Sequence, residues 1–212
     1  MNSSKVLLFV IWIVGIIIFT FFIWRMLFQA GKPINVPPKE GNIIFFGDSL
    51  VEGQGASPGN DLPSLLSKKI DEPVLNAGKG GDTTGSALNR LEQDVLSQNP
   101  RLVIILLGGN DILRQIPPDE VYKNLSIIID KIKARGSAVL LLGVRGGLFG
   151  DPYKDVFETL AKEKQIDYIP DILNGIIGRA DLMSDPIHPN DRGYAKIADR
   201  IEPAVHEILT RK

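Results

Sequence analysis

Two kinds of hydrophobic pattern divide the chain. From Val6 to Trp24 the run VLLFVIWIVGIIIFTFFIW carries no charge, with Lys5 before it and Arg25 after it. Beyond Asn42, short apolar runs alternate with segments whose apolar residues recur every three or four positions. Ile43–Phe46, Val74–Asn76, Leu102–Leu107, Ala138–Val144 and Tyr168–Ile169 read as strands. Between them, Leu62, Leu65, Leu66 and Ile70 share one face of a helix over Asp61–Ile70. Leu88, Leu91, Val95 and Leu96 do the same over Thr84–Leu96, and Val121, Leu125, Ile128, Ile129 and Ile132 over Val121–Lys133. Val156–Lys164 and Tyr194–Leu209 complete the set. Regular alternation of strand and helix implies right-handed crossovers and a parallel sheet covered on both sides, a three-layer α/β/α domain.

The first run is long enough to matter differently. As a helix it spans roughly 28 Å, close to the hydrocarbon thickness of a bilayer. A cleavable signal peptide has a shorter apolar region and a small-residue cleavage site, which FQAGKP supplies poorly. Residues 1–28 are therefore expected to form a single-pass signal-anchor transmembrane segment, with cleavage as the lesser alternative. Residues 29–41, with Pro33, Pro37 and Pro38, read as an extended linker, and residues 42–212 as one domain. Lys5 favours a cytoplasmic amino terminus, against Arg25, Lys32 and Lys39 just beyond the helix. A short N-terminal anchor with no later span commonly exports the domain attached to it, so residues 42–212 are expected on the extracytoplasmic side.

Composition narrows the chemistry. A net charge of −1 gives no reason to expect nucleic acid as a partner. With no cysteine and two histidines, His188 and His206, thiolate chemistry is excluded and a multi-histidine metal site is not expected. Any imidazole base is one of those two residues.

Four polar or glycine-bearing stretches fall at strand ends or before the last helix, where such sheets gather their functional loops. They are GDSL (Gly47–Leu50), NAGKGGDTT (Asn76–Thr84), LGGND (Leu107–Asp111) and SDPIHPN (Ser184–Asn190). Taken singly, each has an ordinary reading. GDS is a turn, Asn110 is a cap, Thr83 or Asp82 caps the helix after the glycines, and Asp185 and Asn190 are turn residues beside a surface histidine. The alternative reading makes Ser49 a nucleophile at a strand end and His188, held on an extended loop by the prolines, its base. His206 lies near the end of a helix beside Glu207 and reads as a solvated residue. The glycine loop matches neither GxGxxG nor GxxxxGK[ST]. GxSxG is absent as well, because Val51 stands where the last glycine would be.

In this order the four stretches resemble the blocks of the SGNH hydrolases, the GDSL esterases and lipases, and most resemble the bacterial thioesterase, arylesterase and lysophospholipase branch. GDSL, GGND and DPIHPN match without departure and GKGGDTT resembles the glycine block; the likeness covers roughly Ile43 to the carboxyl terminus. It implies a flavodoxin-like sheet and no metal or organic cofactor. It implies Ser49 as nucleophile, His188 as general base and acid, and Asp185 as the residue that orients His188. The implied oxyanion hole is the N–H of Ser49, the N–H of Gly81 and the side-chain amide of Asn110.

The resulting expectation is a membrane-anchored serine ester hydrolase for acyl esters, thioesters or lysophospholipids. Its partners are a small-molecule or lipid ester and the membrane. The loop VRGGLFGDPY adds Arg145, Leu148 and Phe149 as candidate substrate contacts, or equally a flap packed on the domain. Two alternatives stand beside this one. The same site can transfer or remove acyl groups on an envelope polysaccharide, or the chain is a non-enzymatic envelope module.

Overall fold

The computed structural model describes residues 12–16, 18–20, 35–144 and 153–212. It divides into two compact units, Met1–Ile34 and Asn35–Lys212. In the first, residues 12–16 and 18–20 are helical, and Thr20 Oγ1 donates to the Ile16 carbonyl (2.8 Å). Most of the expected anchor 1–28 lies outside the described residues, among which no helix is long and apolar enough to cross a membrane.

The second unit is built on five parallel strands, β1 (Asn42–Gly47), β2 (Val74–Gly78), β3 (Pro100–Leu106), β4 (Ala138–Leu142) and β5 (Asp167–Ile169), in the order β2-β1-β3-β4-β5. Alternate residues of each strand face opposite sides. Ile43 and Phe45 join Leu102, Ile104, Leu106, Leu140 and Leu142 under helices α2 (Leu62–Ile70) and α7 (Asp191–Thr210). Ile44 and Phe46 join Val103, Ile105, Val139 and Leu141 under α3 (Thr84–Asp94), α5 (Pro118–Ala134) and α6 (Lys154–Lys164). Each fully buried large side chain contributes about 1.5–3 kcal/mol of transfer free energy. These two faces therefore fix the three layers.

The differences from the sequence pattern have local causes. Helix α5 starts at Pro118, three residues before the first apolar position, because Pro118 at N1 has a pre-set φ and Asp119 and Glu120 suit the first turn. Helix α7 starts at Asp191 because the Asn190 side chain accepts from the Arg192 and Gly193 N–H groups. The segment expected as Thr84–Leu96 breaks at Val95 into α3 and a 3-10 turn, Leu96–Gln98. Two further helices, α1 (Ser49–Glu52) and α4 (Gly109–Leu113), are too short for apolar periodicity to reveal.

The linker also ends earlier than residue 41. The Asn35 amide donates to the Val139 carbonyl (2.8 Å) and accepts from the Val139 N–H (2.7 Å). Strand β5 begins its pairing at Leu140, so Asn35 acts as one residue of strand at the open start of β4. Asp167 receives Asn35 as well as Arg211 (2.6 and 2.8 Å), which ties this entry point to the last helix. Asn35 therefore joins the domain at the amino-terminal edge of the sheet.

Candidate active site

The opposite edge carries the motifs. Strand order reverses between β1 and β3, and in open α/β sheets the crevice beyond the carboxyl ends of such a pair is where ligands bind. β1 stops at Gly47 because nothing larger fits. A Cβ there would lie 2.3 Å from the Leu106 carbonyl oxygen and 2.5 Å from Val51 Cγ2. The next residue, Asp48, caps α1 by accepting from the Leu50 N–H (3.0 Å), which leaves Ser49 as the first residue of that helix.

His188 reaches Ser49 from a narrow loop. Met183 and Pro189 form an antiparallel bridge, and the Ser184 N–H donates to the His188 carbonyl (2.9 Å). One carboxylate oxygen of Asp185 accepts from the N–H groups of Ile187 (2.9 Å) and His188 (2.8 Å). Its other oxygen lies 2.7 Å from His188 Nδ1. The Ile187 N–H, followed by the imidazole, holds the Asp185 carboxyl below the usual carboxylate range. With a proton on Nδ1 facing Asp185, Nε2 is left as an acceptor, and it lies 3.0 Å from Ser49 Oγ. His188 is only 6% exposed, so the pair is shielded from bulk water.

The glycine loop and the turn after β3 close the other side. Gly81 has a left-handed φ of 78°, and Arg114 donates to its carbonyl (2.9 Å). Among the described residues, neither the Ser49 N–H nor the Gly81 N–H has a hydrogen-bond partner. A Cβ on Gly80 would sit 4.0 Å from Ser49 Cβ, so the loop lies directly beside the serine. Thr83 caps α3 in a reciprocal pair with Ser86. Asn110, in α4, donates through Nδ2 to the Asp82 carbonyl (3.0 Å), with Asp48 Oδ2 3.4 Å away.

Several residues essential to this arrangement escaped the sequence pattern. Arg90 of α3 donates to the Gly47 carbonyl (2.8 Å), the Ala77 carbonyl (2.9 Å) and Asp82 (2.5 Å), and its guanidinium lies 4.6 Å from the centre of the Phe46 ring. It therefore knits the ends of β1 and β2 to the glycine loop. Asp111, fully buried, accepts from the Thr84 N–H (3.0 Å) and hydroxyl (2.7 Å), which joins α4 to α3. Asp48 is 3% exposed, and burial, opposed by the Leu50 N–H, pushes its carboxyl up to about 6. By periodicity alone, Arg90 and Asp111 are no more than polar positions.

Ser49, Gly81, Asn110, Asp185 and His188 are thus gathered at one edge of the sheet, whereas His206 is exposed on α7. Arg145, Leu148 and Phe149 lie outside the described residues. No group of three or more acidic or histidine side chains among the described residues is arranged to hold a metal ion. An open depression of about 540 Å³ lined by Asn174, Gly175, Ile176, Lys196, Asp199 and Arg200 shares none of the site residues.

Residues 45–196 match the GDSL-like lipase/acylhydrolase family model. An arylesterase of Vibrio mimicus is 34% identical over 168 residues, 74% of this chain and 84% of that protein. The thioesterase 1/protease 1/lysophospholipase L1 of Escherichia coli is 31% identical over 176 residues, 77% of this chain and 85% of that protein. A crystal structure of TesA superimposes with a TM-score of 0.75 at 29% identity, covering 79% of this chain and 99% of that one.

Proposed function

The chain belongs to the GDSL-like lipase/acylhydrolase family and is a carboxylic ester hydrolase; we propose that Ser49 is its nucleophile, His188 its general base and acid, and Asp185 the carboxylate that orients His188. The observation that carries this reading is the unbroken chain from Asp185 Oδ2 to His188 Nδ1 (2.7 Å) and from His188 Nε2 to Ser49 Oγ (3.0 Å).

In the first step the Ser49 oxygen attacks the acyl carbon while its proton passes to Nε2 of His188. The carbonyl π electrons move to oxygen, and the resulting anion is received by the N–H groups of Ser49 and Gly81 and the Asn110 amide. Collapse expels the alcohol or thiol, which takes the proton back from Nε2 and leaves a serine ester. Water, deprotonated by the same nitrogen, then releases the acid and restores Ser49. Asp185 keeps the Nδ1 proton in place throughout and balances the charge of the imidazolium.

The substrate class is an acyl ester, a thioester or a lysophospholipid. The names of the relatives, an arylesterase and a thioesterase/lysophospholipase, support that range. The uncharged run Val6–Trp24 supports a single-pass anchor, with the domain on the extracytoplasmic side. Extraction of membranes with alkaline carbonate tests the anchor: retention in the pellet supports it and release overturns it.

The catalytic reading is tested with the full chain in detergent, assayed on p-nitrophenyl esters of increasing acyl length and with a fluorophosphonate probe. Wild-type protein should hydrolyse the esters and be labelled, and Ser49→Ala should do neither while melting at the same temperature. Labelling that survives Ser49→Ala would place the nucleophile elsewhere.

A further inference from the structure

Asp48 has no part in the proton transfers described above, yet it is a carboxyl group buried directly behind the nucleophile. Its Oδ1 accepts from the Leu50 N–H (3.0 Å) and its Oδ2 faces Asn110 Nδ2 at 3.4 Å. The charged and titratable groups around it are His188 from the 183–190 loop, Asp82 from the glycine loop, Asp111 from α4 and Tyr194 from α7. Each of these has another partner. Asp82 is paired with Arg90 (2.5 Å), Asp111 accepts from Thr84, His188 lies between Asp185 and Ser49, and the Tyr194 hydroxyl donates to the Gln54 carbonyl (2.7 Å). Asp48 is thus a buried carboxyl held by one short hydrogen bond and one long contact.

A side-chain amide presents two donors on nitrogen and acceptors on oxygen, and its partners decide which way it turns. One hydrogen of Asn110 Nδ2 is taken by the Asp82 carbonyl at 3.0 Å. The other has only the distant Asp48 oxygen. A flipped amide would bring its own oxygen against the Asp82 carbonyl and the Asp48 carboxylate, three acceptors with no proton among them. The 3.4 Å separation matters too. A contact that long is weak, so this second N–H can pass to an arriving oxyanion while the Asp82 bond keeps the nitrogen in place.

We infer that Asp48 is a positioning residue whose ionised carboxylate keeps the Asn110 amide turned with its nitrogen available to the oxyanion. This rests on the oxyanion role of Asn110 proposed above. The mechanism carries its own pH dependence. Protonated Asp48 has an O–H that can donate to a flipped Asn110 oxygen, so the unproductive rotamer becomes competitive once Asp48 takes up a proton. Burial brings that event to about pH 6, inside the range where the enzyme can be assayed.

Asp48→Asn is the informative variant, because its oxygen can keep the Leu50 N–H while its NH₂ mimics the protonated acid. The experiment measures kcat and KM from pH 4.5 to 9 for wild type, Asp48→Asn, Asn110→Ala and the double variant, on a soluble p-nitrophenyl ester. Asp48→Asn should lower kcat by about 10- to 10²-fold with KM nearly unchanged, short of the 10²–10³-fold expected from removing an oxyanion donor outright. The wild-type acid limb should lose activity with more than one proton, from His188 and Asp48 together, whereas Asp48→Asn should show one. Added to Asn110→Ala, the Asp48 substitution should cost little more, because its effect acts through the amide.

An unchanged kcat in Asp48→Asn, an acid limb identical to wild type, or additive losses in the double variant would overturn the inference. Should Asp48→Asn fail to fold, a one-proton acid limb in the wild type, or one unaltered by Asn110→Ala, would do so instead. If Asn110→Ala itself leaves kcat intact, the oxyanion reading fails and takes this inference with it. A loss in Asn110→Ala without one in Asp48→Asn sinks the Asp48 role alone.

Discussion

Ser49 Oγ and His188 Nε2 lie 3.0 Å apart although 139 residues separate them in the chain. Neither is placed by its immediate neighbours alone. Ser49 is set by the glycine that ends β1 and by a short capped helix. His188 is set by the hairpin-like loop that closes onto the amino terminus of α7. The contact therefore reports the docking of α7 on the sheet as much as the local motifs.

Asp185 shares one carboxylate between that loop and the imidazole, and the two functions can be separated. Asp185→Asn can keep the bonds from the Ile187 and His188 N–H groups through its oxygen while presenting an amide, instead of a carboxylate, to Nδ1. The loop should survive with melting nearly unchanged, and kcat should fall by about 10²-fold or more, because the tautomer that leaves Nε2 as acceptor is no longer favoured. The Asp185 carboxyl is held below its ordinary range, so its contribution is present above about pH 4 and is lost only as pH falls further. A pH–rate profile for the wild type with an acid limb near neutrality should therefore owe nothing to Asp185.

Asp48 makes the opposite prediction for stability. Its folded-state value, about 6, lies above the 3.8 of an exposed aspartate, so between these values the native state binds more protons than the unfolded one. Stability from this residue is therefore full below about pH 4 and declines as pH rises through about 6, by about 3 kcal/mol in all. Asp48→Asn removes that loss and should melt higher than wild type at pH 8, with the difference shrinking towards pH 4. Thermal melts across that range check it. A variant that gains stability as it loses turnover is the expected outcome at a site where charge is buried for function.

Much of this arrangement could be read from residues close together in the chain. GDSL, GGND and DPIHPN each place a reactive side chain beside the turn residues that present it, so Ser49, Asn110, Asp185 and His188 stand out as candidates. The strands are equally legible, since Ile43–Phe46 and Leu102–Leu107 are apolar on both faces. What escapes is whatever depends on contacts through space. Arg90 bonds to carbonyls at the ends of two strands, and nothing in TGSALNRLEQD marks it as more than a polar position on a helix. The Asp48–Asn110 contact spans 62 residues and has no spacing rule. Short helices such as Ser49–Glu52 complete barely one turn, too little for any period to register.

Asn35 is a further case, and it yields a prediction remote from the chemistry. Its amide satisfies both the N–H and the carbonyl of Val139 at the start of β4. Asn35→Ala leaves that pair without a partner in a partly buried position and should cost about 1–3 kcal/mol. Because the contact sits at the amino-terminal edge of the sheet, kcat and KM should not change. Chemical denaturation beside a steady-state assay checks both halves, and a fall in kcat would show that the two edges of the sheet are coupled.

Gly78, at the end of β2, gives the reverse separation, a small change with its main effect on rate. A Cβ at this position would lie 2.1 Å from the Glu52 nitrogen and 2.6 Å from the Val51 carbonyl carbon, both in the backbone of α1. Backbone cannot rotate away as a side chain can, so Gly78→Ala must move α1, and Ser49 is its first residue. The helix is short and its far end is held by Gly53, in a left-handed conformation with φ 98°, so the displacement is passed on to the serine. Overpacking of this kind costs about 1–3 kcal/mol of stability. Misplacing a nucleophile by about 1 Å costs on the order of 10²-fold in rate. Gly78→Ala should therefore remain folded at 25 °C yet react with fluorophosphonate and esters about 10²-fold more slowly than wild type. A melting temperature that falls steeply with an unchanged rate in the surviving folded protein would show that Ser49 is positioned by His188 and not by the packing of α1 against β2.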